Sequence, residues 1–228
     1  MKGRVAGMYV NAAVFYSDIE DLQVTLDAGS CSSRISFNVG EAHTAGVELE
    51  LRAQPIEGLE VSFAGSWLES EFDSTVRDST GAILGGVKAG NRLASVPEYQ
   101  YAATATYSFP LFVTDGDGFL SATVHHVGDR FTQPSDQVAG AGTFTSGLAF
   151  GGATGTETTV IDLELDPYTI VNVSGGMTVG DWDAILFVHK LSDKHTLLSF
   201  DRERGGRARL GFRTNQPRTV GLTIRRRC

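Results

Sequence analysis

Between residues 46 and 67 apolar and polar side chains alternate almost without fault. Val47, Leu49 and Leu51 fall on one parity and Glu48, Glu50 and Arg52 on the other; Leu59, Val61, Phe63 and Trp67 then alternate with Glu60, Ser62, Ala64 and Ser66. A period of two sends successive side chains to opposite faces of a strand, so this stretch predicts two strands joined by a tight turn at Pro55-Ile56-Glu57-Gly58. Each strand has one face that avoids water and one that accepts it.

Followed along the chain, the same pattern predicts about eight strands, over residues 8–28, 34–54, 58–72, 97–109, 118–132, 158–179, 181–192 and 217–228. Several exceed the roughly five or six residues usual in soluble sheets. Their connections alternate between two kinds. Short ones lie at Pro55 to Glu57, Pro110 to Asp117 and Gly180-Asp181; long ones, rich in Gly, Ser, Thr and Asp, lie at 73–96, 133–157 and 193–216, with a shorter member at 29–33. Long strands with short turns at one end and long loops at the other predict an all-β fold. It is an antiparallel up-and-down transmembrane β-barrel, or a portion of one, with periplasmic turns and extracellular loops. A soluble β-sandwich would alternate as well, but it has no reason to segregate loop lengths by end.

In the barrel reading Val47, Leu49 and Leu51 meet lipid, and Glu48, Glu50 and Arg52 line a wet lumen. Tyr99, Tyr101, Tyr107 and Phe109 share one parity, with only Ala103 and Ala105 between them. That is the order of an outward apolar band held between two interfacial aromatic belts.

Composition changes the picture at three points. The 228 residues are 41% hydrophobic and carry a formal charge of −8, and no basic stripe interleaved with aromatics is present, which argues against a nucleic-acid partner. No apolar run approaches the roughly 18 residues that a membrane helix needs, so strands must make any crossing. The N-terminal stretch, interrupted by Asn11, Tyr16 and Ser17, reads as a strand and not as a signal peptide, so an exported protein would carry its leader further upstream.

Catalytic chemistry finds no foothold. His125 and His126 are adjacent on a strand, so they point to opposite faces and cannot share one metal ion. His189 and His195 have hydroxyl and carboxylate neighbours, but no Gly-x-Ser-x-Gly elbow, zinc spacing or phosphate-binding loop accompanies them. Gly151-Gly152-Ala153-Thr154-Gly155 lacks a following Lys and a helix, and reads as a supple loop. The expectation is therefore a protein that is not an enzyme and holds no cofactor or metal.

Five stretches carry a family resemblance. "FNVGEAHTAGVELELRAQPIEGLEVSFAGSWLESEF" resembles a motif of TonB-dependent outer-membrane receptors, with Asn38, Gly40, Ala42, Gly46, Val47, Glu48, Glu50, Pro55, Gly58 and Leu59 in its positions. "GNRLASVPEYQYAATATYSF" is similar to the next landmark of that family through Gly90, Arg92, Leu93, Val96, Pro97 and Glu98. "HHVGDRFTQPSD", "WDAILFVHKLSDKHTLLSF" and "QPRTVGLTIRRRC" resemble a rim segment, the element after the penultimate strand and the closing strand. Lys190 stands where the family usually has Asn, and Cys228 where it usually has an aromatic.

The resemblance implies that residues 1–228 are the C-terminal part of a larger receptor barrel, with the plug domain and signal peptide outside them. The parent would take up a ferric siderophore or a similar large nutrient across the outer membrane of a Gram-negative bacterium. Outer-membrane lipid would be a partner throughout, and the TonB system only through the N-terminal part. Asp129 and Arg130, near the rim, are the candidate substrate contacts, although rim charges are more often simply solvated. Arg225 and Arg227 have lumen parity, and Arg226 must snorkel toward the periplasmic interface. Strands cut from a larger barrel leave unpaired edges, which lipid does not tolerate. A self-standing small barrel with a structural or adhesive role, and a secreted β-sandwich binding module, are the alternatives. The sandwich would permit a bridge between Cys31 and Cys228; a barrel would separate them by something like its roughly 25 Å apolar band, beyond disulfide reach.

Overall fold

The computed structural model of the chain describes residues 2–5, 7–27, 34–112, 115–145, 158–202 and 210–227. In chain order its strands begin with β1 (Lys2–Val5), β2 (Met8–Ile19), β3 (Leu22–Asp27), β4 (Arg34–Val39), β5 (Ala42–Ile56) and β6 (Leu59–Phe72). They continue with β7 (Tyr99–Pro110), β8 (Gly116–Val127), β9 (Arg130–Phe131), β10 (Thr143–Thr145), β11 (Thr158–Val160) and β12 (Glu164–Leu165). Last come β13 (Tyr168–Val179), β14 (Trp182–His189), β15 (Leu197–Arg202), β16 (Leu210–Thr214) and β17 (Thr219–Arg226). Cys31, Cys228 and the 151–155 glycine stretch lie outside the described residues.

One antiparallel sheet contains the eight long strands and the short β1, in the order β1-β2-β5-β6-β7-β8-β13-β14-β17. It is an up-and-down meander whose edges, β1 and β17, are not paired with each other. The sheet is thus an arc of barrel wall and not a closed small barrel. Among the described residues no second large sheet lies against it, as a sandwich would require.

Register carries the two faces from strand to strand, since residues paired across a ladder share a face. Val10, Leu51, Phe63, Ala103, Val124 and Val171 form one row on the apolar face. One residue along, Asn11, Glu50, Ala64, Ala102 and His125 form a row on the polar face. On the apolar face Trp67 is 67% exposed, and Leu222 and Ile224 are each 62% exposed. A contiguous apolar surface of this extent requires a cover other than water.

Small residues keep the wall thin where rings cross it. Phe15 faces Gly46, Phe109 faces Gly118, Phe119 faces Gly176 and Phe187 faces Gly221 directly across their ladders. A Cβ at Gly221 would stand 2.2 Å from Phe187 Cζ, so the ring lies against bare backbone. At the β5–β6 turn Gly58 has φ 77°, and its carbonyl accepts a 2.8 Å hydrogen bond from the Ser108 amide. A Cβ there would lie 2.3 Å from the Ser108 carbonyl oxygen, so the turn requires glycine for both conformation and space.

The long-loop end is more structured than the alternation predicts. The 8–28 strand breaks between Ile19 and Leu22, where Asp21 has φ 53°, and the 34–54 strand breaks at Gly40-Glu41. The 118–132 strand stops at Val127, and the 158–179 strand divides into β11, β12 and β13. The detached pieces pair separately, as β3–β4, β9–β12, β10–β11 and β15–β16. Their apolar residues pack on one another. Val24, Val39, Ala42, Phe72 and Val87 form a buried cluster flanked by Leu22, Phe37, Val76, Leu84 and Leu93. A second cluster centres on Phe200, fully buried beside Phe144 and Phe212, with Leu163 and Leu165 also buried.

Candidate functional site

Two long connections meet above the sheet through Arg92. A bridge to Glu71 of β6 brings it there, and Gln137 clasps its backbone, accepting from Arg92 N at 2.9 Å and donating to Arg92 O at 2.8 Å. Its side chain reaches Asp129: Nη1 donates to Oδ2 at 2.5 Å and Nη2 to the Asp129 carbonyl at 2.8 Å. The guanidinium also lies 5.8 Å from the Phe131 ring, and Glu98 stands 3.9 Å from its Nη1. The β9–β12 ladder sets Glu164 opposite Phe131, two residues along the chain from Asp129.

Asp129 and Glu164 influence each other's titration. Burial would raise Asp129, but the hydrogen bond and charge of Arg92 outweigh it and hold this carboxyl below its usual range. Glu164 is pushed above its usual range, first by burial and then by the hydrogen bond and negative charge of Asp129.

Arg130 is adjacent to Asp129 in sequence but belongs to a different environment. It is 7% exposed, its guanidinium packs 5.3 Å from the Tyr168 ring, and Nη2 donates to the Leu198 carbonyl at 3.0 Å. Nη1 is buried with no hydrogen-bond partner among the described residues. Neither predicted residue is therefore a merely solvated rim charge. Arg92, the partner of Asp129, and Glu164 were not singled out from the sequence as site residues. The available signal was Arg92 inside "GNRL" and the acidic alternation of "DLELD", which mark positions but not who meets whom.

The polar face below is a trough lined by Asn11, Glu48, Glu50, Ser66, Gln100 and His125, contributed by five consecutive long strands. Asn11 donates to Glu50 at 3.0 Å, while Thr104 with Thr123 and Thr106 with Ser121 form cross-strand hydroxyl pairs. His125 faces this trough, whereas His126 points to the apolar face, stacked with Tyr99 at 5.5 Å and Tyr101 at 4.9 Å. Among the described residues no group of His, Cys, Asp or Glu is placed to hold a metal ion. At the short-turn end Arg227 clamps Asp183 through contacts of 3.0 and 2.8 Å, and Arg226 points outward over Trp182 at 5.7 Å.

Residues 2–192 match the family model described as TonB dependent receptor-like, beta-barrel. The chain belongs to this receptor family. Its fold is that of solved siderophore receptors. The ferric yersiniabactin uptake receptor FyuA of Yersinia pestis aligns over 98% of this chain and 28% of its own, with a TM-score of 0.69 and 20% identity. The siderophore receptor PiuA of Acinetobacter baumannii aligns over 98% and 26%, with a TM-score of 0.63 and 17% identity. The ferripyoverdine receptor of the outer membrane of Pseudomonas aeruginosa aligns over 98% and 25%, with a TM-score of 0.55 and 14% identity. This TonB-dependent receptor-like arc thus spans about a quarter of the length of each receptor it matches. The family is one of receptors and transporters, not of enzymes.

Proposed function

We propose that the chain is the C-terminal part of a receptor barrel in the outer membrane of a Gram-negative bacterium, and that the whole receptor takes up a ferric siderophore or a similar large nutrient. The observation that supports this most is the two-faced sheet. Its outward apolar band runs between Trp67, Tyr99 and Tyr101 at one end and Tyr107, Phe109 and Trp182 at the other, in a chain of the TonB-dependent family. The apolar face meets lipid. The Glu48, Glu50 and His125 face lines the lumen, the short turns are periplasmic and the long loops extracellular.

Substrate contact belongs to the extracellular layer, where Asp129 and Arg130 are the residues assigned to it. Arg130 offers an N–H on a buried guanidinium with no hydrogen-bond partner among the described residues, and such a group gains from an anionic partner. Arg130→Lys keeps the charge but loses the planar fork, and is expected to weaken ligand binding by about tenfold. Energy from the inner membrane would arrive through a TonB-contacting plug that these strands help to surround. The test is uptake of radiolabelled iron, presented as a panel of ferric siderophores, by cells with and without the gene. Loss of uptake of one complex is expected; unchanged uptake of every iron complex and of cobalamin would overturn the reading.

A further inference from the structure

At the short-turn end three consecutive arginines divide between the two faces of the sheet. Arg225 and Arg227 line the polar face together with Asp183, and Arg227 is committed to that carboxylate through contacts of 3.0 and 2.8 Å. Arg226 falls on the apolar face. Its ladder partner is Trp182, and its guanidinium lies over that ring, 5.7 Å from the centroid. Ile224 and Leu222 precede it on the same face, with Met177 and Leu186 beside them, and all four are exposed.

A fixed cation at the border of an apolar surface calls for an anion, and among the described residues Arg226 makes a ring contact but no ion pair. Asp117 and Asp183, the acids of the neighbouring strand ends, have the opposite parity, and Asp183 is already held by Arg227 and Thr178. A guanidinium lying over a ring keeps its planar N–H edge free, and that edge matches two oxygens of a phosphate. The Trp182 indole N–H is a second donor at the same place. From Leu222 to Arg226 the strand rises roughly 13 Å. One lipid can therefore lay acyl carbons on Leu222 and Ile224 and bring its phosphate to Arg226.

We propose that Arg226 and Trp182 form a binding site for the phosphodiester of an anionic glycerophospholipid in the periplasmic leaflet, with phosphatidylglycerol preferred over phosphatidylethanolamine. Phosphatidylethanolamine carries an ammonium beside its phosphate, and among the described residues no carboxylate stands within ion-pair reach of Arg226 to balance it. Phosphatidylglycerol brings hydroxyls instead and leaves its negative charge to the guanidinium. The site rests on the lipid-facing assignment made under the proposed function and adds a specific headgroup to it.

Photolabelling of the whole receptor in phosphatidylcholine nanodiscs tests this. Two phosphatidylglycerol probes are added at trace level, one with a diazirine in the headgroup and one with it in mid-chain, and adducts are mapped by peptide mass spectrometry. The chain probe is expected on Leu186 and Leu222, which reports lipid contact by itself. The headgroup probe is expected on the peptides carrying Trp182 and Arg226, competed by unlabelled phosphatidylglycerol and not by phosphatidylethanolamine or inorganic phosphate. Arg226→Gln is expected to lower headgroup labelling there about fivefold, the weight of one arginine beside an anionic leaflet, and to leave chain labelling unchanged. Absence of chain labelling would overturn the lipid assignment and the site together. Chain labelling accompanied by headgroup labelling that Arg226→Gln does not lower, or that phosphatidylethanolamine or inorganic phosphate competes equally well, would overturn the site alone. The wild-type competition decides if the variant does not assemble.

Discussion

Lys190 has a left-handed backbone, φ 56°, a conformation that asparagine adopts more readily than lysine. This gives a physical reason for the family's usual Asn there, and the structure records how Lys compensates. Lys190 is 5% exposed, and Nζ donates to Asn215 Oδ1 at 2.9 Å and to the Gln216 carbonyl at 3.0 Å, while its amide donates to Asn172 Oδ1 at 2.9 Å. Asp193 continues the tie by accepting the Arg218 amide at 2.8 Å, which holds its carboxyl below the usual range. Lys190→Ala removes two charge-assisted hydrogen bonds and is expected to cost roughly 1.5–3 kcal/mol. Thermal unfolding in detergent, with protease sensitivity of the 190–218 connection, checks it. A second residue-scale contrast separates the faces. Ala103→Lys on the apolar face is expected to destabilise the membrane-folded state by roughly 2–4 kcal/mol, and Ala102→Lys on the trough face by much less, in urea titrations of the whole receptor folded into vesicles. At this scale parity was legible from the sequence, as for His125 and His126. Partnership was not, because nothing in "GDR" says that its aspartate meets Arg92 while its arginine turns to Tyr168.

The β5–β6 hairpin was the most legible element, since its alternation, its turn and both faces stand in the sequence and recur in the ladder from Ala42 with Phe72 to Ile56 with Leu59. Gly58→Ala meets both a positive φ and the Ser108 carbonyl, and is expected to cost roughly 1–3 kcal/mol and to slow assembly of β7 onto β6. Folding kinetics in lipid vesicles check this. The loop-end elements were not legible for a specific reason. A period of two marks a half-buried strand but not what covers it, so Leu22, Val24, Phe37 and Val39 read as a continuation of the lipid-facing wall. They instead close a water-facing cap with Phe72 and Val87. Strand length was overestimated wherever such a cap begins, and the intervening breaks fall at Glu20-Asp21, Gly40-Glu41 and Asp166-Pro167. The β15–β16 pair was hidden the other way, because residues 193–216 read as one long loop.

On the scale of the whole molecule one arrangement organises the chain. Nine strands form a single meander, apolar on one side from Val10 to Ile224 and polar on the other, with aromatic side chains near both ends of the apolar band. Caps with cores of their own stand at one end, and tight turns at the other. Apart from the caps, this architecture was legible because segregation of loop lengths and strand parity are both one-dimensional signals. On the proposed reading, the edges of β1 and β17, which do not pair with each other, would need further strands beside them in lipid. The most direct test places nitroxide labels one at a time at residues 47 to 52 of the whole receptor in lipid bilayers and compares collision with oxygen, which partitions into lipid, and with a water-soluble nickel chelate. Positions 47, 49 and 51 are expected to favour oxygen, and positions 48, 50 and 52 the chelate. Loss of that alternation, or its reversal, would contradict the assignment of lipid to one face and lumen to the other.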